Sequence, residues 1–428
     1  MTKRKISILL TSAALLQLAA GCFGGGGNQQ PIELTVWKPF EEQEALSPIF
    51  ESYRKLHPNV NFHYVKKDVA TYENELVNAL ASGTGPDIFS IHNDWLPQYL
   101  IRLAPAPDGL FKDREFQDTF VDVAREDFYS TDGKLYAVPM SVDVLALYYN
   151  RDLLGSVGIA QPPQTWTEMI DDVKKLTRQD RLGNFQINGV AMGTSSNINR
   201  STDIFSLLML QNGTQIFNST RSQATADREV VAPDGTRYYP GAQALEFYTQ
   251  FANPAKETYT WNSKNNYSID AFVSGQTAMI LAYSYLEPII RSKGPLLNFG
   301  IAPVPQIDVT KPKVNFANYF GEAVSRQSQH QQEAWDFLKF ATTAEALQSF
   351  YVAHKVPASR RDLINTQIND PQIGVFAEGA LTAKTFYKPD AAKIESILTR
   401  AIDDVILRGK QPQEAIGAVT QQLNGLLR

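Results

Sequence analysis

The alternation of apolar and polar residues in the first third of the chain predicts strands separated by helices. Short apolar runs at residues 34–37, 60–65 and 87–91 have the length and composition of strands. Between them, apolar side chains recur every three or four residues over 46–56 and 72–81, which predicts two amphipathic helices. Strand, helix, strand, helix, strand with short connections is the pattern of an open parallel sheet. We therefore expect an α/β fold.

The stretch 133–154 predicts a crossing between two compact bodies. Residues 135–139 form a short apolar arm, and residues 145–149 form an uninterrupted apolar and aromatic run. Such a run is typical of a strand that is covered on both faces in a mostly parallel sheet. Asp143 lies between the two, alone among apolar neighbours. Because an unpaired buried carboxylate is costly, this residue either stays solvated, pins a turn or contacts a ligand.

The second half of the chain continues the mixed pattern. Two further strands are predicted at residues 277–283 and 299–305. Helices are predicted at residues 151–157, 165–176, 205–210, 242–251, 268–274, 331–340, 344–353, 394–407 and 412–427. Thr165 followed by Glu168 predicts a capping box at the start of one of them.

The first 31 residues predict a secreted protein that is anchored to a membrane. Residues 1–21 have the basic start and short apolar stretch of a secretory signal, too short for a stable membrane span. Cys22 follows and is the one cysteine of the chain, so no intramolecular disulfide can form. Its position resembles the bacterial lipoprotein processing site, although Ala19 departs from the larger aliphatic residue preferred there. We expect lipidation of Cys22, with plain cleavage and secretion as the alternative, and a flexible glycine-rich tether at residues 22–31.

Length, charge and motif content limit the classes of function. A chain of 428 residues exceeds what one hydrophobic core usually serves, so we expect two lobes. Its formal net charge of −5 argues against a nucleic-acid partner. The five histidines are scattered, and neither a P-loop nor a nucleotide fingerprint follows any predicted strand. We therefore expect neither a metal nor a cofactor, and we expect a monomer.

Aromatic, acidic and amide side chains follow two of the predicted strands. Trp37 and Glu41 come at the end of the first strand, and Asn93, Asp94 and Trp95 follow the third. Open α/β sheets bind ligands at these strand ends. An indole beside carboxylate and amide groups suits a sugar, whose C–H face packs on a ring while its hydroxyls need donors and acceptors. A helix cap by Asn93 or Asp94 with a buried Trp95 is an equally simple interpretation.

Several collinear segments then support a family resemblance. They are GTGPDIF with NDW, GKLYAVPMSVDVLALYYNRDLL with GIAQPPQTWTEM, FVSGQTAMILAYSY before APVPQ, and NYFGEAVS, spread from about residue 34 to residue 357. Together they resemble the family 1 extracellular solute-binding proteins, which are the substrate-capturing lipoproteins of bacterial ABC importers. The maltose-binding protein is a distant relative.

This resemblance implies two α/β lobes that close on a ligand in the cleft between them. Residues 32–143 with about 320–355 are expected to form one lobe, and residues 144–319 with about 356–428 the other. Asp143 is expected at the first crossing, and Gly321 would let the backbone approach a ligand closely. The expected ligand-binding residues are Trp37, Glu41, Asn93, Asp94, Trp95, Asp143, Tyr283, Tyr285, Gly321 and Glu322.

The implied function is capture without chemistry. A mono- or oligosaccharide would be bound and passed to the permease subunits of an ABC importer, by a protein held by its lipid on the extracytoplasmic face of a membrane. One alternative is a secreted glycoside hydrolase that uses carboxylates from Glu41, Asp94 and Asp143. Others are a transporter-independent adhesin or sensor, and a binding protein for glycerol phosphate, polyamine or ferric ion. Tyr148 and Tyr149 could not easily share one ferric ion, since adjacent strand residues point to opposite faces.

Overall fold

The computed structural model describes residues 30–232 and 234–427. The predicted signal peptide, Cys22 and most of the predicted tether lie outside these residues. Within the described ranges, no helix combines the length and the apolar character that crossing a bilayer requires.

Strands and helices alternate along the described chain. The strands are β1 (Ile32–Lys38), β2 (Val60–Lys66), β3 (Ile88–His92), β4 (Leu103–Ala104), β5 (Ala137–Val138), β6 (Ala146–Asn150), β7 (Arg178–Gln179), β8 (Phe185–Val190), β9 (Val230–Val231), β10 (Arg237–Tyr238), β11 (Thr277–Ala282), β12 (Phe299–Pro303), β13 (Asn315–Phe316), β14 (Phe320–Ser325) and β15 (Ala383–Lys384). The α-helices are α1 (Gln43–Leu56), α2 (Tyr72–Ser82), α3 (Leu96–Tyr99), α4 (Asp113–Thr119), α5 (Asp122–Phe128), α6 (Arg151–Ser156), α7 (Trp166–Leu176), α8 (Ser201–Gln211), α9 (Pro240–Thr249), α10 (Ser268–Val273), α11 (Leu286–Lys293), α12 (Gln331–Ala341), α13 (Ala344–Ala353), α14 (Arg361–Gln367), α15 (Gly374–Ala380), α16 (Ala391–Ile406) and α17 (Pro412–Leu426). Short 3-10 helices span Leu100–Arg102 and Gln250–Ala252.

The first sheet follows the predicted strand and helix alternation. Its order is β2-β1-β3-β14-β4, and β5 also pairs with β14. β1 pairs in parallel with β2 and β3, whereas β14 arrives from much later in the chain and runs antiparallel to β3. α1 buries Leu46, Ile49, Phe50 and Tyr53, one helical face with the spacing that the sequence shows. We call the body built on this sheet the first lobe.

The second sheet has the order β12-β6-β11-β8-β7, and the body built on it is the second lobe. Residues 145–148 of the apolar run are buried as predicted and Tyr149 is partly buried, because β6 lies between β11 and β12. Both neighbours are antiparallel, so the prediction of a mostly parallel sheet was wrong for this strand. An apolar run reports burial on both faces, which a central antiparallel strand also has, and it carries no information on strand direction.

Three chain segments connect the two lobes. The first leads from β5 to β6, the second from β13 to β14, and the third from α13 to the helices that follow it. They lie side by side, because Val144 pairs with Ala317 and Ser141 pairs with Ala358 in isolated bridges. The crossing predicted within residues 133–154 is confirmed. The residue boundaries of the two lobes stay a prediction.

Two helix starts in the second lobe are fixed by side-chain caps. The Thr165 hydroxyl accepts from the Glu168 backbone N–H, and the Glu168 carboxylate accepts from the Thr165 N–H, which is the predicted capping box. The side-chain oxygen Oδ1 of Asn150 accepts from the N–H groups of Asp152 and Leu153 at the start of α6. These side chains are used for capping and are not free to contact a ligand.

Candidate ligand-binding cleft

A cavity of about 680 Å³ lies between the two lobes. The first lobe lines it with residues at the carboxyl ends of β1 and β3 and on β14. The second lobe contributes the first turn of α8, the residues after β11, and the first turns of α16. All three crossings contribute as well, through Asp143, Asn318 and Pro357. Its volume lies in the usual range for small-molecule sites.

Six of the ten residues that the sequence suggested for ligand binding line this cavity. Glu41, Asp94, Trp95 and Tyr285 follow predicted strands, whose ends both sheets direct toward the cleft. Asp143 was predicted from the crossing and Glu322 from the family resemblance. Their part in binding stays a prediction.

Trp37 and Asn93 lie away from the cavity. The Trp37 ring is covered by Lys67, whose Nζ is 3.6 Å from the ring centroid. Its neighbour Lys38 lines the cavity instead, because successive strand side chains point to opposite faces. Asn93 is buried, and its Nδ2 donates to Asp127 Oδ2 at 3.1 Å. The helix-cap alternative is wrong too, since α3 begins after Trp95 without a side-chain cap.

Tyr283 and Gly321 are also set back from the cavity. Tyr283 is fully buried, and its hydroxyl donates to Asp203 Oδ2 at 2.9 Å, so it supports a residue that lines the cleft. A Cβ at position 321 would lie 2.5 Å from Cζ of Phe128. The glycine therefore makes room for a core phenylalanine and not, as the sequence suggested, for a ligand.

Replacing Gly321 with alanine is expected to destabilise the protein by about 1–3 kcal/mol, because the added methyl group overpacks the core against Phe128. Chemical denaturation would measure this loss. Gly155→Ala is the matched control, since a Cβ there meets nothing within 4 Å. Equal stability of Gly321→Ala and the wild type would contradict this packing role.

An aromatic cluster forms one wall of the cavity. The Trp95 ring stacks on Tyr99 with centroids 5.3 Å apart, and Phe320 meets it edge-on at 5.9 Å. Phe40 contacts Phe320 at 4.9 Å and is half-exposed toward the cleft. Tyr285 is 45% exposed on the second lobe. The cavity therefore has exposed ring surface on both lobes.

Asp143 holds the first crossing to the second lobe. Its carboxylate accepts from the Ser284 hydroxyl at 2.8 Å and the Ser284 N–H at 3.0 Å, and from the Val144 N–H at 2.8 Å. Burial raises the pKa of Asp143 to about 6, although these hydrogen bonds oppose the rise. Of the interpretations left open by the sequence, pinning a turn applies; Asp143 also lines the cavity, and its contact with a ligand stays a prediction.

Asp94 takes part in an ion pair that spans the cleft. Lys388, in the segment before α16, donates from Nζ to Asp94 Oδ2 at 2.8 Å. His92 Nδ1 contacts the other carboxylate oxygen, and His92 Nε2 lies 3.1 Å from Asn318 Oδ1. Burial alone would raise the pKa of Asp94, but His92 and Lys388 lower it well below its ordinary value. Asp94 is therefore a charged residue that links the two lobes.

A second buried ion pair forms the floor of the cavity in the first lobe. Lys38 Nζ lies 2.5 Å from Glu322 Oε1 and 3.5 Å from Glu41 Oε2. The Ser90 hydroxyl contacts both Glu322 oxygens, at 3.0 and 3.2 Å. Burial raises the pKa of Glu322, while Lys38 opposes the rise. Two carboxylates thus share one ammonium group at this floor.

The family model of bacterial extracellular solute-binding proteins matches residues 37–348. This chain belongs to that family. The relatives include the galactooligosaccharide-binding protein of Bacillus subtilis, 21% identical over 442 residues that cover 99% of this chain and 98% of that protein. The lactose-binding protein of Rhizobium radiobacter is 25% identical over 351 residues, covering 78% of this chain and 74% of that protein.

Solved structures share the two-lobed fold of this solute-binding protein. The cyclic alpha-maltosyl-1,6-maltose binding protein from Arthrobacter globiformis superposes with a TM-score of 0.76 at 19% identity. The alignment covers 93% of this chain and 99% of that one. At this identity the likeness establishes the fold.

Sequence reasoning missed several cleft residues of the second lobe and the crossings. Lys388 follows no predicted strand, and Asn318 precedes β14 without a motif of its own. Arg200 and Asp203 line the cavity at the start of α8. The polar run before that apolar helix marks a helix start, which is the one signal that could have drawn attention to them.

Two buried carboxyl groups are expected to make the stability of the protein depend on pH. Burial raises the pKa of Asp127 and of Asp143 to about 6, from an ordinary value of 3.8. Each carboxyl binds its proton more tightly in the folded state than in the unfolded state, so protonation stabilises the folded protein. This contribution to the free energy of unfolding is complete below about pH 4 and is lost as pH rises through about 6. Lowering the pH from 7 to 5 is therefore expected to raise the free energy of unfolding by about 1 kcal/mol per group.

Urea denaturation at pH 7 and pH 5 measures this effect. Asp127→Asn should remove one group's share of the difference, and the exposed Asp118→Asn should leave the difference intact. An unchanged difference in Asp127→Asn would show that this carboxyl does not titrate in the stated window.

Proposed function

We propose that this solute-binding protein captures a carbohydrate in the cleft between its lobes and delivers it unaltered to the permease of an ABC importer. One observation carries the proposal, namely a cavity of about 680 Å³ that combines exposed aromatic rings with a dense set of polar side chains. Relatives whose names specify a ligand include a galactooligosaccharide-binding, a maltotriose-binding and a lactose-binding protein.

The chemistry of the cavity suits a pyranose ring. Its C–H face can pack on aromatic rings such as Trp95 and Tyr285. This contact buries apolar surface of the rings and fixes the orientation of the sugar. Its hydroxyls need both donors and acceptors, because a buried hydroxyl without a partner costs about 1–3 kcal/mol. Lys38 and Arg200 offer donors, and Glu41 and Asp203 offer acceptors.

Closure around the ligand is the mechanism that this arrangement supports. A ligand that contacts both lobes binds the closed form more tightly than the open form and so shifts the population toward the closed form. The difference between the two affinities sets the size of the shift. The pair Lys388 and Asp94 joins the lobes at the cleft and would favour the same form. The permease would recognise the closed protein.

Anchoring would place the protein beside its permease. We propose lipidation at Cys22 and a tether through residue 31 that holds the lobes on the extracytoplasmic side of the membrane. A tether of this kind raises the effective concentration of the protein at the permease. The protein would act as a monomer.

The alternatives receive less support from the geometry. A glycoside hydrolase needs two available carboxyls, but Asp94 accepts from His92 and Lys388, and Asp143 accepts from Ser284 and Val144. For ferric ion, Tyr148 is buried and donates to the Tyr283 carbonyl. Across residues 30–232 and 234–427, no three His, Cys, Asp or Glu side chains are grouped to hold a metal.

A thermal-shift screen tests the proposal. Mono- and oligosaccharides, glycerol phosphate, spermidine and ferric citrate are each added to the protein, and a ligand of the native state raises its Tm. We expect a rise with at least one carbohydrate and none with the other solutes. A rise confined to a non-carbohydrate solute would contradict the proposal.

A further inference from the structure

The cavity carries more negative charge than its positive side chains neutralise. Seven carboxylates line it, against three lysine or arginine side chains. Lys388 is paired with Asp94, and Lys38 with Glu322. Arg200 lies three residues before Asp203 at the start of α8. After these pairings, negative charge remains both at the rim and at the floor of the cavity.

Glu41, at the floor of the cavity, is a carboxylate whose charge is only partly compensated. Glu41 Oε2 is inaccessible to solvent and has no hydrogen-bond donor among the residues that the structure describes. Its nearest charge is Lys38 Nζ at 3.5 Å, which already donates to Glu322 at 2.5 Å. The side chain of Glu41 is one-fifth exposed, and it lines the cavity. Oε2 itself is covered, so it is the exposed part of the Glu41 carboxylate that a ligand group in the cavity can contact. Such a group would compensate the charge that Lys38 only partly neutralises.

The kind of group that fits follows from charge and hydrogen bonding together. A hydroxyl would donate a hydrogen bond to Glu41 but would leave the excess negative charge uncompensated in a partly desolvated site. A protonated amine donates a charge-assisted hydrogen bond, which is roughly twice as strong as a neutral one, and neutralises the charge as well. The rim carboxylates Glu73 and Glu395 add attraction for a cation entering the cleft.

We propose that the carbohydrate captured by this cleft is an amino sugar, or an oligosaccharide that contains one, with its ammonium group held by Glu41. This inference rests on the proposed carbohydrate-binding function and specifies the substrate class. An N-acetylated sugar has the same ring but no charge, so it is a matched competitor that the site should disfavour.

Titration calorimetry with matched ligands tests the inference. The first series is glucose, glucosamine and N-acetylglucosamine. The corresponding galactose and mannose compounds form the second and third series. The β-1,4-linked disaccharides of the three glucose compounds are tested as well. In the series that fits the cleft, the free amine is expected to bind at least about tenfold more tightly than both uncharged members. Raising the salt concentration should weaken the amine more than its neutral parent.

Variants then connect the preference to Glu41. Glu41→Gln is expected to remove most of the preference for the amine. Glu42→Gln is the matched control, because Glu42 is an adjacent exposed carboxylate that pairs with Lys66 outside the cavity and should leave the preference unchanged. The Tm of both variants confirms that they are folded.

The outcomes separate this inference from the function on which it rests. A neutral sugar that binds as tightly as its amine would overturn the amino-sugar inference and leave carbohydrate capture standing. A preference that survives in Glu41→Gln would overturn the assignment to this residue. Binding of spermidine with no binding of any sugar would contradict the inference and the proposed function together.

Discussion

Replacing Lys38 with methionine is expected to lower the free energy of unfolding by about 3–5 kcal/mol. The methylene stem would still pack, but Glu322 would lose its ion pair while it remains buried at the floor of the cleft. Removing one partner of a buried pair leaves an uncompensated charge, and that cost is of this size. Urea denaturation monitored by tryptophan fluorescence measures it.

Two variants sharpen this prediction. Lys38→Met combined with Glu322→Gln should recover a large part of the loss, because the stranded charge is removed with its partner. Lys66→Met breaks the more exposed pair with Glu42 and should cost at most about 1 kcal/mol. A Lys38→Met protein no less stable than Lys66→Met would show that the floor pair is not desolvated as the structure indicates.

Lys388→Met is expected to weaken carbohydrate binding by about 2–5 kcal/mol, or thirtyfold or more. The side chain joins the segment before α16 to Asp94 of the first lobe, so its removal takes away a buried contact across the cleft. Under the proposed mechanism this contact favours the closed form. Calorimetry with the best ligand of the screen gives the affinity. Small-angle X-ray scattering of the ligand-free protein should show a larger radius of gyration than for the wild type.

Lys384→Met is the control for this contact. Lys384 lies in the same segment and pairs with Glu126, but both side chains are nearly half exposed, so the pair is screened by solvent. Its affinity should stay within a fewfold of the wild type. If Lys388→Met bound the ligand as tightly as Lys384→Met, the pair with Asp94 would not contribute to closure.

Much of the fold could be predicted because local patterns have local causes. Alternating strand and helix patterns gave the parallel pairing of β1, β2 and β3, and the family resemblance gave two lobes and a cleft. The direction of β6 could not be predicted, since its neighbours β11 and β12 lie far along the chain and burial alone does not encode direction.

Residues that line the cleft could be predicted where they follow a strand, but not where they lie elsewhere in the chain. The end of a strand fixes the edge where a residue lies, which located Glu41 and Trp95, but pleating then decides that Lys38 rather than Trp37 faces the cavity. Lys388 reaches Asp94 across 294 positions of sequence. A contact of that kind depends on tertiary structure and leaves no local pattern.

The most direct test of the account is a calorimetric titration of the protein with the carbohydrate selected by the screen, followed by recovery of the ligand. We predict one site per chain, loss of binding in a Trp95→Ala variant that remains folded, and a recovered sugar of unchanged mass. Hydrolysis products in the recovered material, or full binding by Trp95→Ala, would contradict capture of an intact carbohydrate in this cleft.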